Sequence, residues 1–104
     1  MLKTINDSNF YDEVLNSKLP VMVDFSAEWC GPCQMQSPIV EILEKEYKDK
    51  AKILKMDVDQ SGSTAGQYNV MTLPSFIFFR DGEPIANLTG SQTKKTLEEK
   101  LDSL

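Results

Sequence analysis

Apolar residues in this chain follow two rhythms: short, nearly continuous runs, and stripes that return every three or four positions. Runs of the first kind suit strands and stripes of the second suit one face of a helix. Leu2 to Ile5 predicts a short first strand. Between Asp7 and Lys18, Phe10, Val14 and Leu15 fall at helical spacing, with Asp7 or Ser8 placed to cap the helix. Leu19-Pro20 ends it, because a proline ring pushes the preceding residue out of helical geometry. Val21 to Ser26 is apolar at nearly every position, as in a central strand covered on both faces.

A second helix is predicted from Pro32 to about Lys50, where Ile39, Ile42, Leu43 and Tyr47 make a stripe and Glu41, Glu44, Lys45 and Lys48 take the opposite face. Pro38 falls inside it and removes one backbone hydrogen bond, so a kink is expected there. Ile53 to Val58 reads as a third strand, and Ser61 to Tyr68 as a weak helix weakened by Gly62 and Gly66. Ser75 to Phe79 and Pro84 to Thr89 flank Arg80-Asp81-Gly82-Glu83, an Asp-Gly turn that predicts an antiparallel hairpin. From Thr93 a closing helix carries Leu97, Leu101 and Leu104 on one stripe. Strands and helices that alternate before a final hairpin and helix give a mixed sheet with helices on both faces.

Composition narrows the function classes. At 104 residues, 40% hydrophobic and 26% charged, the chain has the make-up of a soluble globular domain. A formal charge of -5 with scattered Lys and Arg argues against nucleic-acid binding. No apolar run reaches signal-peptide or membrane-spanning length, so the expected location is the cytoplasm. In that reducing compartment a spaced cysteine pair is more often catalytic or metal-binding than a structural staple.

The only two cysteines lie in Trp29-Cys30-Gly31-Pro32-Cys33, between the second strand and the second helix. If this is a strand-to-helix turn, Cys30 takes the first helical position and Cys33 lies one turn later on the same side, close enough to bond. Unpaired N–H groups and the dipole at a helix start favour negative charge, so the Cys30 thiolate is stabilised. Pro32 fits a first turn, where its missing N–H is no loss. A closed zinc site needs four ligands, usually Cys or His, and with no other cysteine and no histidine in the chain a metal would need carboxylates or a second subunit. A structural disulfide spanning two residues would constrain almost no unfolded-chain entropy. Reversible dithiol–disulfide exchange is the chemistry that remains.

Asp24 interrupts an apolar strand, on the same face as Met22 and Ser26. It is either a buried carboxyl with a raised pKa, able to move protons near neutral pH, or a polar residue on a half-exposed strand. Lys55 is likewise a charge within Ile53-Leu54-Lys55-Met56, and is either the partner of Asp24 across the sheet or exposed at an edge. An X-Pro bond is cis only about 5–6% of the time, so composition alone reads Leu73-Pro74 as trans.

Trp29-Cys30-Gly31-Pro32-Cys33 preceded by Val23-Asp24-Phe25, then Pro38, Lys55, Leu73-Pro74, Gly82 and Gly90, resembles the thioredoxin family over the entire chain. The resemblance implies one domain over residues 1–104, an α/β thioredoxin-like fold with a central mixed sheet of about five strands flanked by four helices. It implies Cys30 as exposed nucleophile, Cys33 as buried resolving thiol, and a cis peptide before Pro74 packed against the disulfide. Asp24 would lie behind Cys33 and assist its deprotonation through water, with Lys55 tuning the carboxylate. Trp29, Gly31, Pro32, Leu73, Gly90 and Ser91 would receive the substrate, with the Leu73 backbone pairing to an extended segment.

Two positions depart from the family pattern: Ser26 stands where a large aromatic is usual, and Gln34 where Lys is frequent. The implied function is reduction of protein disulfides in client proteins by a monomer with no bound cofactor, recharged by thioredoxin reductase, a flavin enzyme drawing on NADPH. Gly31-Pro32 lacks the histidine that oxidising relatives carry between the cysteines, which favours donating electrons. The competing reading is a binding module or chaperone-like subunit that uses the same apolar surface, with redox turnover incidental.

Overall fold

A computed structural model describes residues 2–104. Its elements run β1 (Lys3–Ile5), α1 (Tyr11–Leu15), β2 (Val21–Ser26), α2 (Gly31–Glu46), β3 (Lys52–Asp57), α3 (Gly62–Gln67), β4 (Ser75–Arg80), β5 (Glu83–Thr89) and α4 (Lys94–Asp102). The strands form one mixed sheet in the order β1-β3-β2-β4-β5. β3 is parallel to both β1 and β2, whereas β4 runs antiparallel to β2 and β5.

The unbroken apolar run of β2 follows from this order. Val21, Val23 and Phe25 enter a core with Phe10 and Val14 from the α1 region and Ile77 and Phe79 of β4. Met22 enters the opposite core with Val40 and Leu43 of α2, Phe76 and Phe78 of β4, and Leu97 and Leu101 of α4. On the first face Phe10, Tyr68 and Phe79 form a trio of rings with centroids 5.4–5.8 Å apart, an arrangement worth about 0.5–1.5 kcal/mol per pair beyond area burial.

Two elements differ from expectation. The predicted Asp7–Lys18 helix shrinks to the π-type turn α1, closed by Asn16 N–H donating to Tyr11 O at 2.9 Å. Its proposed caps are engaged elsewhere. Asp7 accepts from Thr64 N at 2.9 Å at the start of α3, and the Ser8 hydroxyl donates to Asn6 Oδ1 at 2.5 Å. Such local side-chain bonds offer the backbone an alternative to the helix.

α2 ends at Glu46 instead of near Lys50, where the Lys50 and Ala51 N–H groups turn back to Tyr47 O. Its buried face is Cys33, Gln36, Val40 and Leu43, and Ile42 is 46% exposed. The hairpin turn behaves as its sequence predicts: Asp81 and Gly82 both have positive φ, at 52° and 79°, as in a type I′ turn. A Cβ on Gly82 would meet Leu15 O at 3.0 Å, so glycine is required there on steric grounds as well.

Candidate active site

The cysteine turn hangs from the C-terminal end of β2, the central strand. Cys30 is the N-cap of α2, with extended φ of -89° and ψ of 107°, one residue ahead of the helical position expected for it. From there its Sγ accepts the Cys33 N–H at 3.2 Å, satisfying one of the orphan donors of the helix start. Cys30 and Cys33 form a disulfide across a Cα–Cα distance of 5.3 Å. When the bond opens, the same N–H and the positive end of α2 face a Cys30 thiolate, which they stabilise. Pro32 sits in the first turn of α2, as its lack of a donor allows.

The resemblance implies an exposed Cys30 and a buried Cys33, but in the disulfide the two residues are 5% and 4% exposed. Both pack with Ala27, Val58 and Leu73. The cysteines differ instead in the opening each one lines. Cys30 lines a groove of about 610 Å³ with Trp29, Gly31, Pro32 and Leu73, joined by Val58, Val70 and Met71. Cys33 lines a second, polar cleft of about 570 Å³ with Ser26, Lys55, Gln34 and Asp57.

Leu73-Pro74 is cis, in line with the resemblance and against the composition-based expectation. Pro74 is buried and its carbonyl accepts the Gly90 N–H at 2.8 Å. Gly90 and Ser91 therefore stand next to Pro74, but neither lines the groove beside Cys30. In their place the groove contains Val58, Val70 and the 92% exposed Met71. The apolar pair Val70-Met71 in a polar loop just before Thr72-Leu73-Pro74 was the available signal for the last two. Also unforeseen are Asp59, whose Oδ2 accepts the Trp29 indole N–H at 2.8 Å, and Gln36, whose amide both donates to and accepts from the Gln92 backbone at 2.9 and 2.8 Å.

Asp24 is 2% exposed, which decides its two readings in favour of burial. It lies in register with Lys55 of β3, and alternation directs it toward the face that α2 covers. Its Oδ1 has no hydrogen-bond partner among the described residues. Burial pushes its pKa up to about 7, with the attraction of Lys55 acting in the opposite direction. A carboxyl that exchanges its proton near neutral pH thus sits on the sheet face beneath the helix that bears Cys33. The arrangement can break and remake one disulfide and supply or take up one proton while doing so.

The family model described as Thioredoxin matches residues 1–103. The chain is 45% identical over 97 residues to thioredoxin from Rickettsia prowazekii, covering 93% of this chain and 92% of that protein. It is 49% identical over 98 residues to thioredoxin from Staphylococcus haemolyticus, covering 94% and 92%. With chloroplastic thioredoxin M-type from Pisum sativum it shares 42% identity over 101 residues, or 97% of this chain and 59% of that one.

Proposed function

The chain belongs to the thioredoxin family, and from that premise we propose that it is a thiol–disulfide oxidoreductase that reduces disulfides of partner proteins through Cys30 and Cys33. The observation that carries this reading is the Cys33 N–H donated to Cys30 Sγ at the head of α2, beside an apolar groove.

The Cys30 thiolate attacks a client disulfide, forming a mixed disulfide and releasing one client thiolate. Cys33, deprotonated with help from Asp24, then attacks the Cys30 sulfur. The bond between Cys30 and the client breaks, its electron pair leaves with the client sulfur, and Cys30–Cys33 is oxidised. Lys55 moderates the Asp24 carboxylate. Trp29, Gly31, Pro32, Leu73 and Pro74, with Gly90 and Ser91 at the margin, receive the client, and the Leu73 backbone pairs with it as an added strand.

A flavin reductase drawing on NADPH, thioredoxin reductase, restores the dithiol, and the protein itself needs no bound cofactor. It works as a monomer in the cytoplasm, with residues 1–104 as a single domain. No helix among the described residues is long and apolar enough to cross a membrane.

Dithiothreitol-driven reduction of insulin tests the assignment. The wild-type chain accelerates it, Cys30→Ser abolishes the effect, and Cys33→Ser accumulates clients as stable mixed disulfides. A Cys30→Ser, Cys33→Ser double variant that retains the cellular role of the wild type would instead establish a binding module working through the same groove.

A further inference from the structure

The disulfide stands between two openings whose linings share no residue. On the Cys30 side the groove is largely apolar, with Trp29, Met71 and Leu73 in its walls. On the Cys33 side the cleft is polar, and Ser26 and Lys55 are among its lining residues. Ser26 is 1% exposed and its Oγ, like Asp24 Oδ1, has no hydrogen-bond partner among the described residues. Two residues apart on β2, Asp24 and Ser26 share one face of the strand, separated by about 6.6 Å of strand rise. An interval of that size is one that a single bridging water can span, and a polar cleft of about 570 Å³ has room for several.

We propose that this cleft is the proton port of the site, and that Ser26 is a positioning residue whose hydroxyl links the Asp24 carboxyl to water in the cleft. The proposal rests on the reductase reading given above. In the resolving step the Cys33 thiol passes its proton to the Asp24 carboxylate, and the thiolate that results breaks the mixed disulfide. Asp24 must then release that proton before the next cycle. A client seated in the groove closes the Cys30 side, which leaves the cleft as the exit. A hydroxyl suits the relay because it accepts from the water that bridges to the protonated carboxyl while donating onward to water in the cleft. No electrons pass along this path.

The charged groups around it are few. Lys55 lies in register with Asp24, Asp57 lies in register with Ser26, Glu28 lines the cleft, and α2 contributes Cys33. From β4, Phe76 is the residue in register with Asp24, and it does not titrate.

The test follows insulin reduction by the full chain as a function of pH, together with an NMR titration of the Asp24 carboxyl carbon. Wild type, Ser26→Ala and Ser26→Thr are compared, each with Asp24 intact and as Asp24→Asn. Loss of the hydroxyl removes the anchor of a water that donates to the charged carboxylate, so Ser26→Ala moves the Asp24 inflection upward by about one pH unit in both measurements. Ser26→Thr restores it, and with Asp24→Asn the Ser26 substitutions no longer shift the rate profile. A Ser26→Ala profile that superimposes on wild type, or a shift that survives Asp24→Asn, overturns the relay and leaves the reductase assignment intact. A wild-type chain inactive on insulin at every pH overturns both.

Discussion

A single carboxyl, Asp24, shows how one residue trades stability for chemistry. Its pKa is raised from 3.8 to about 7 because burial disfavours the charged form. Between those two values the folded chain binds more protons than the unfolded chain, so stability falls as pH rises through the window. The favourable contribution is fully present below 3.8 and is lost above about 7, a swing of about 4 kcal/mol. Asp24→Asn removes the titration, so its stability relative to wild type should rise by about 4 kcal/mol between pH 4 and pH 8 in urea unfolding. An equal difference at both pH values would contradict the assignment. Gln34 is exposed and ties its amide to Glu28 O near the cysteine turn. Gln34→Lys adds a cation there and should lower the Cys30 pKa, read by the pH dependence of alkylation of the reduced protein; no change or a rise refutes it. Cys30, Cys33 and Asp24 were legible in the sequence because each breaks a local pattern. Val58 and Asp59 were not, because only the chain's path through space brings them to the cysteine turn.

Among the elements, those whose signals agree locally formed as the sequence predicts. β2 combines an apolar run with two-sided burial, and the Asp81-Gly82 turn supplies the two positive φ angles its hairpin needs. α1 is the counterexample: its apolar spacing was helical, but Asn6, Asp7 and Ser8 spend their side chains on local turns and on α3, and one short turn survives. In α2 the apolar stripe pointed to Ile42, whereas the face that packs includes the polar Gln36. That residue was invisible to a reading based on hydropathy, yet its amide clamps α2 to the Gln92 backbone in the segment between β5 and α4. Gln36→Leu keeps the bulk and orphans two backbone groups, so it should destabilise the protein by about 1–3 kcal/mol in urea unfolding. A neutral effect would mean that water replaces the clamp.

For the molecule as a whole, the sheet order governs both association and function. β1, at one edge, is a three-residue strand with Lys3 and Thr4 exposed. β5, at the other, begins Glu83-Pro84, with a register shift against β4 between Phe78 and Phe79. Short edges, charge, proline and irregular register all discourage pairing with a second chain. Sedimentation equilibrium should therefore find one species of monomer mass in oxidised and reduced samples alike, and a dimer in either state would show that an edge or the groove is self-complementary. At the centre, β2 is buried at every position and bonded to a strand on each side, and the cysteine turn is its direct continuation. So firm a mounting is a poor lever for announcing the opening of the disulfide at a distance. On the proposed function, a receptor that tells the spent form from the charged one would inspect the two sulfurs and their immediate rim, so a recharging enzyme and a client would queue for the same few square nanometres.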